Sequence, residues 1–423
     1  MRLTILTQYY PPEIGAPQNR LSDLAGRLVD AGHEVEVLTA MPSYPRGEIY
    51  PGYGGLFSHE QKDGIRVLRT FIYPTHSAAF LPRLLNYFSF MFSSAFLGSF
   101  LLRRVDYLLV ESPPLFLGVA AIWLSWLKRA KLIFNVSDLW PDSAVHLGII
   151  SKDSCAYLIC SHLESFCYRQ AWLVTGQSNG ILKDICVRFA DIRTFFLSNG
   201  SDTMTFTPER RTTESRNRLA NGDKFVILYA GLHGLAQGLD QILEAAKELP
   251  ASERYRFVFI GDGPEKQRLI AKAREQTQSD IVFMEPLPKY EIPELVAAAD
   301  VLLVPLARDI PGAVPSKLYE AMASGRPLVL VATGEPAEIV RQHQAGLVVS
   351  PGDVASLAQA VRILRTESEK AAQLAANARR AAVGHYDRRQ IAESFIEYLE
   401  EHQDNARNRK YKPGYQTDWS AGK

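Results

Sequence analysis

Short apolar runs alternate with amphipathic helical patterns along nearly the whole chain, and this alternation most limits the folds open to it. Arg2 to Thr7 reads as a buried strand, Gln18 to Ala31 as a helix closed by Gly32, and Glu34 to Thr39 as the next strand. That is a βαβ unit with a right-handed crossover. Further strands are expected at Ile65 to Phe71, Tyr107 to Glu111, Lys131 to Val136, Trp172 to Thr175 and Thr194 to Leu197. Ser201 to Lys224 is polar, charged and nearly free of aliphatic residues, so it reads as a linker. Strands are expected again at Phe225 to Tyr229, Phe257 to Ile260, Ile281 to Phe283, Val301 to Val304 and Leu328 to Val331. An amphipathic helix from about Arg388 to Glu400 and a polar, mobile tail from Asp404 close the chain.

The expected architecture is α/β: two Rossmann-like, doubly wound domains at residues 1–200 and 225–384, a linker at 201–224, and a segment at 385–423 whose helix packs back. Ligands of such sheets sit outside the carboxyl ends of the strands, so the active site is expected in a central cleft. A length of 423 residues suits two domains. A net charge of +1 and a hydrophobic fraction of 47% exclude wholesale disorder and a general nucleic-acid binder. Cys155, Cys160, Cys167 and Cys186 form no C-x-x-C pair and have no His at zinc spacing, which points to a reducing compartment. The start MRLTILTQYYPP lacks a signal peptide's apolar region, so a cytoplasmic protein is expected.

Three segments carry chemistry. The first strand runs into Tyr9-Tyr10-Pro11-Pro12-Glu13-Ile14-Gly15, where a glycine before a helix lets an anion approach the backbone; the alternative is an ordinary βα turn. Neither G-x-G-x-x-G nor G-x-x-x-x-G-K-[ST] is present, which weakens a nicotinamide enzyme and removes a P-loop. After Tyr229, the glycines Gly231, Gly234 and Gly238 are more than a turn requires and point to close backbone approach to a phosphate. A further turn, Gly261-Asp262-Gly263, follows the next strand. Finally, Pro315 and Ser316 open a helix that Gly325 and Pro327 end. Its free N–H groups near Lys317 and Leu318 suit an anion, Lys317 adds charge, and Glu320 suits vicinal hydroxyls. The alternative is a capped surface helix.

Y-x-P-P-E-x-G, G-H-E-V-x-V-L-T, D-L-W-P, S-N-G-S-D, Y-A-G, G-D-G-P-E, A-D-V-L-L-V-P, P-S-K-L-Y-E-A-M-A-S-G-R-P and A-G-L-V-V-x-P-G-D follow one another along residues 1 to 400. Together they resemble the retaining GT-B glycosyltransferases of family 4, nearest to polysaccharide-cluster fucosamine transferases and colanic-acid-type enzymes. The resemblance implies a UDP-sugar donor, with N-acetylfucosamine as the sugar, and a polyprenyl-diphosphate-linked saccharide as acceptor. It places the ribose on Glu320, the base near Gly261, Asp262 and Gly263, and the diphosphate on Lys317, Leu318 and the Gly231 to Gly238 loop, with Ser316 also at the donor and Gly15 closing from the first domain. The family's Glu-x7-Glu pair is incomplete here, because Gly312 stands where the first carboxylate belongs; Asp309 is a candidate substitute. The Arg and Lys often found on the first loop of the second domain are replaced by a loop carrying His233 and Gln237, which leaves the phosphates to backbone N–H groups, His233 and Lys317. Rival readings are a UDP-sugar 2-epimerase of the same architecture and a non-catalytic assembly partner.

No Asp-x-Asp occurs, so no metal and no other cofactor is expected, and helix termini and cations neutralise the leaving diphosphate. Candidates for the base are Asp138 in V-S-D-L-W-P-D, His146, or a donor phosphate oxygen. Leu84 to Leu102 is uncharged between Arg83 and Arg103-Arg104, and Asn86, Ser89 and Ser93 share one helical face. It reads as a helix lying in a membrane interface through Phe88, Phe92 and Phe96. Trp123 and Trp126 beside Lys128-Arg129-Ala130-Lys131 suit the same anionic surface, giving peripheral attachment to the inner face of the cytoplasmic membrane. The alternative makes both segments crossover helices around the first sheet.

Overall fold

In the computed structural model, which describes residues 1–407 apart from 76, 78, 147, 277, 278, 309 and 310, two sheets organise the chain. The first contains β1 (Arg2–Leu6), β2 (Glu34–Ala40), β3 (Phe57–Lys62), β4 (Ile65–Thr70), β5 (Tyr107–Ser112), β6 (Lys131–Val136), β7 (Leu173–Gly176) and β8 (Thr194–Phe196), in the order β3-β4-β2-β1-β5-β6-β7-β8. All its pairings are parallel except β3 with β4. It is joined by α1 (Ala16–Asp30), α2 (Phe80–Leu101), α3 (Leu117–Lys128), α4 (Asp142–His146), α5 (Cys155–Gln170) and α6 (Asn179–Arg188). Strands such as KLIFNV are almost continuously apolar because helices cover both faces. Phe90 of α2, Leu124 of α3 and Tyr168 of α5 pack on one face, and Leu21, Leu24 and Leu28 of α1 on the other.

The second sheet is wholly parallel, in the order β11-β10-β9-β12-β13-β14. After α7 (Thr213–Leu219) come β9 (Phe225–Ala230), α8 (Asp240–Lys247), β10 (Tyr255–Ile260), α9 (Lys266–Arg274), β11 (Asp280–Met284), α10 (Ile292–Ala298) and β12 (Val301–Pro305). Then follow α11 (Ser316–Ala323), β13 (Leu328–Val331), α12 (Gly334–Gln342), β14 (Leu347–Val349), α13 (Val354–Thr366) and α14 (Ser368–His385). The last helix, α15 (Arg388–Arg407), returns to the first domain. There Phe395 and Leu399 join the core of α1, and Tyr107 Oη donates to the Leu399 carbonyl at 2.6 Å.

Four details differ from the sequence reading. Residues 213–219, expected as linker, form α7, capped reciprocally by Thr212 and Ser215, with Leu219 in the second core. Its charges are used as well: Arg216 pairs with Asp300 at 2.9 Å. β3 was not expected because FSHEQK is polar; it is an edge strand turned onto β4 through Asp63-Gly64, both with positive φ. β14 is only three residues long. Helix α15 runs past Glu400 to Arg407, so the expected tail from Asp404 begins as helix, and 408–423 lie outside the described residues.

Candidate active site

Strand order reverses between β1 and β5 in the first sheet and between β9 and β12 in the second, and the loops leaving those strands diverge into crevices. The loop after β1 holds Gly15; those after β9 and β12 hold Gly231 to Gly238 and the approach to α11. The domains meet along this rim. The His146 carbonyl, at the end of α4, accepts a long 3.5 Å contact from Arg308 Nη1. The Glu335 carboxylate at the start of α12 accepts from the backbone N–H groups of Asn179 and Gly180, each at 2.7 Å, at the positive end of α6.

In the second domain, Lys317 Nζ donates to Glu320 Oε2 at 2.8 Å, one turn along α11. The Lys317 stem crosses the Gly231 turn: a Cβ at Gly231 would lie 3.7 Å from Lys317 Cε and 2.8 Å from Tyr229 Oη. Lys289, on the loop after β11, and Arg388 lie within electrostatic reach of Glu320; desolvation, then Arg388, lowers the Lys289 ammonium below its ordinary pKa. Gln237 folds back so that a Cβ at Gly234 would lie 2.8 Å from its Oε1, and this oxygen is buried with no partner among the described residues.

Several expected donor residues have other work. His233 is fully buried in an aromatic box, 5.9 Å from Tyr229 and 5.8 Å from Phe283 between ring centroids, and neither ring nitrogen has a partner. Burial, then Lys266, lowers its pKa to about 4. It is a neutral core side chain and does not meet phosphate. The glycines of the next turn serve loop packing: a Cβ on Gly261 would sit 2.0 Å from the Gly231 carbonyl oxygen, and one on Gly263 2.3 Å from that of His233. The two turns are stitched by Gly231 N–H to the Ile260 carbonyl at 2.9 Å and His233 N–H to the Asp262 carbonyl at 2.8 Å. The exposed Asp262 accepts the Gly263 N–H at 2.8 Å. Leu318 is a core residue whose N–H already donates to the Pro315 carbonyl at 2.9 Å, so α11 offers an anion the N–H groups ahead of it, at Ser316 and Lys317. Gly312 has φ +75° and faces the first domain, where a Cβ would lie 2.8 Å from Ile181 Cγ1. A carboxylate there would collide with α6. Asp309 lies outside the described residues.

The first domain contributes side chains from strand ends. Asp138, on the loop after β6, is half-buried, and burial raises its carboxyl pKa, which strengthens it as a base. Beneath it runs a buried polar network that the sequence reading missed. Arg20 of α1 pairs with Glu111 of β5 at 2.6 Å and donates to Ser137 Oγ at 3.1 Å and Asn199 Oδ1 at 2.6 Å. Asn135 of β6 donates to Glu111 at 2.5 Å, and Thr175 of β7 donates to Asn135 at 2.6 Å. The available signal was a polar residue inside each apolar run, Asn135 in KLIFNV and Glu111 in YLLVES. Gly15 has extended backbone before α1, its Cβ space filled by the Gln18 amide at 2.4 Å. Its loop is anchored by the buried Glu13, which accepts the Ser43 and Tyr44 N–H groups at 2.8 Å each.

The helix at 80–101 is built inside out for water. Asn86, Ser89 and Ser93 point at the protein: Asn86 bonds Gln8 and the Tyr73 carbonyl, Ser89 takes the Tyr73 N–H, and Ser93 donates to the Phe71 carbonyl. Phe92, Phe96 and Phe100 face outward, 65, 67 and 74% exposed. Phe88 is half-buried at the inner edge of that face, packing on Phe116 at 4.8 Å and on Phe92 at 6.4 Å between ring centroids. Helix α3 divides its residues: Leu117, Ala120, Ala121 and Leu124 are core, as the crossover reading expects, whereas Trp123 and Trp126 are exposed.

Solved structures share this arrangement. Sucrose-phosphate synthase from Thermosynechococcus elongatus superposes with a TM-score of 0.75 at 18% identity, over 95% of this chain and 99% of its own. Anabaena HepE, crystallised with UDP-glucose, gives 0.69 at 18% identity, over 95% and 100%. The fold is that of the GT-B glycosyltransferases. Residues 15–200 match the glycosyl transferase 4-like domain, and residues 210–381 match the glycosyl transferases group 1. Among curated relatives, WcaI of Escherichia coli K12, named for glycosyl transfer in colanic acid biosynthesis, is 28% identical over 78% of this chain and 83% of its own. WbjE of Pseudomonas aeruginosa, named as a glycosyltransferase, is 30% identical over 61% and 66%. The chain belongs to the group 1, 4-like glycosyltransferases.

Proposed function

We propose that this protein is a retaining, metal-independent glycosyltransferase of surface polysaccharide biosynthesis. It moves a sugar, N-acetylfucosamine in this reading, from UDP to a polyprenyl-diphosphate-linked saccharide at the inner face of the cytoplasmic membrane. The observation that carries the proposal is the convergence of the Gly231 turn, Lys317 and Glu320 at the switch point of the second sheet. The colanic acid relative supports the polysaccharide setting, and HepE's bound UDP-glucose supports the donor class.

The Lys317–Glu320 pair is the resting state in this reading. When donor enters, Lys317 turns to the diphosphate and Glu320 is released to accept from the ribose hydroxyls. The bond between sugar C1 and the diphosphate oxygen breaks, and the acceptor hydroxyl oxygen bonds C1 on the same face. The hydroxyl proton passes to Asp138 or to a diphosphate oxygen. Charge on the leaving group is met by Lys317 and the first N–H groups of α11, with no cation from solution. His146 lies at the rim, where its exposed ring would contact the acceptor.

The outward Phe92, Phe96 and Phe100, the exposed Trp123 and Trp126, and the flanking Arg103, Arg104 and Arg129 support docking on an anionic bilayer. Glu320→Ala should raise the donor KM by about 10- to 100-fold with the fold intact; an unchanged KM would remove Glu320 from the donor site. UDP release should require a lipid-linked acceptor and survive chelation of divalent cations. Release without acceptor, epimer formation, or dependence on manganese would each refute the reading.

A further inference from the structure

We propose that an apolar recess beside α2 seats the aliphatic tail of the lipid-linked acceptor, close to its diphosphate. This rests on the lipid-acceptor reading above and assigns that lipid a place. The recess, about 330 Å³, opens where the loop after β2 and the segment after β4 leave the carboxyl end of the first sheet. Its walls are Met41, Ile49, Leu56, Phe71, Ile72 and Pro74, and its glycines are Gly54 and Gly55, at which an added Cβ would meet nothing within 4 Å.

Three observations favour an aliphatic chain. Part of the wall's backbone is already engaged: the Phe71 N–H donates to the Leu56 carbonyl at 3.0 Å, the Phe71 carbonyl accepts from Ser93, and the Tyr73 N–H beside it donates to Ser89 Oγ at 2.8 Å. An aliphatic chain asks for no hydrogen bond from a wall of apolar side chains. The same bonds tie the wall to the polar side of α2, so the recess adjoins the helix whose opposite side presents Phe92 and Phe96 to a bilayer. Last, exposed cations stand on the loop after β2, at Arg46, and in the first turn of the adjoining α2, at Arg83, and Arg83 is within electrostatic reach of Tyr9 on the Gly15 loop. They suit an anionic head directed towards the cleft.

The test measures binding of farnesyl diphosphate to the full-length protein, with inorganic diphosphate as head alone and farnesol as tail alone. Sedimentation with phosphatidylethanolamine–phosphatidylglycerol vesicles is measured in parallel. Leu56→Asp with Phe71→Asp, both at exposed positions, should weaken farnesyl diphosphate at least about tenfold and leave inorganic diphosphate and sedimentation unchanged. Phe92→Ser with Phe96→Ser should abolish sedimentation and leave farnesyl diphosphate binding intact. Undiminished farnesyl diphosphate binding in the recess variant would overturn the proposal. So would loss of both properties together in either pair, which would make the recess part of the bilayer contact. Farnesyl diphosphate binding as expected, with no UDP release on any lipid-linked acceptor, would refute the transfer reading while supporting the recess as an isoprenoid site.

Discussion

In the second domain the groups facing the cleft are set mainly by backbone: two glycine turns stacked on each other and the open end of a short helix, with Lys317 and Glu320 one turn apart. In the first domain they are set by side chains drawn from distant segments, where Arg20, Glu111, Asn135, Thr175 and Asn199 converge beneath Asp138. A backbone site is contiguous in sequence and leaves a motif. A site made of strand ends leaves single polar residues scattered among apolar ones, and it depends on charges kept out of water. The two halves should therefore fail differently.

The largest effect is expected from Glu111→Ala. It strands the Arg20 guanidinium, which is almost wholly buried, and removes the acceptor of Asn135. Breaking a buried pair on one side costs about 3–5 kcal/mol. Urea unfolding should show an early transition of the first domain with UDP affinity retained by the second; joint loss of both would break the contrast drawn above. Gly261→Ala drives a methyl into the Gly231 carbonyl. It should cost about 2–3 kcal/mol in the second domain and weaken UDP binding; UDP affinity unchanged would show that the stacked turns do not shape the donor site.

Glu335→Ala tests the contact between the halves. It removes two bonds across the cleft, about 1–2 kcal/mol of domain association. Small-angle scattering should report a larger radius of gyration; an identical profile would mean that other contacts hold the cleft. The smallest effect near neutral pH is a slope that grows only on acidification. The buried His233 imidazole titrates near pH 4, against 6.5 ordinarily, so the unfolded chain takes up the proton first. Stability is therefore full above pH 6.5 and falls as pH drops towards 4, by up to about 1.4 kcal/mol per unit. His233→Phe should remove that slope; the same slope in the variant would exclude His233 as its source.

Much was legible along the chain because the signals are local. Apolar runs bounded by turns marked most strands to within a residue or two, and P-S-K-L-Y-E marked the helix bearing Lys317 and Glu320. Asp63-Gly64 was a readable hairpin signal, overlooked because the strand before it is a polar edge. The functions of individual residues were less legible. His233 in a glycine-rich loop looks like a phosphate ligand until three aromatic rings are seen to enclose it. Leu318 loses its free N–H to a turn closed by its own neighbour. Gly312 looks like a lost carboxylate until α6 is found against it.

By itself the sequence determined two parallel α/β units, their order, and the helix that carries Lys317 and Glu320, since strand periodicity, caps and glycine turns act over a few residues. Only the tertiary structure decided which polar residues would share a buried network, that Phe88 would lean in on Phe116, and which glycines would answer to a neighbouring loop. Those outcomes depend on what stands opposite a side chain, and that neighbour comes from tens to hundreds of residues away, as Arg20 does from Glu111 and Asn199.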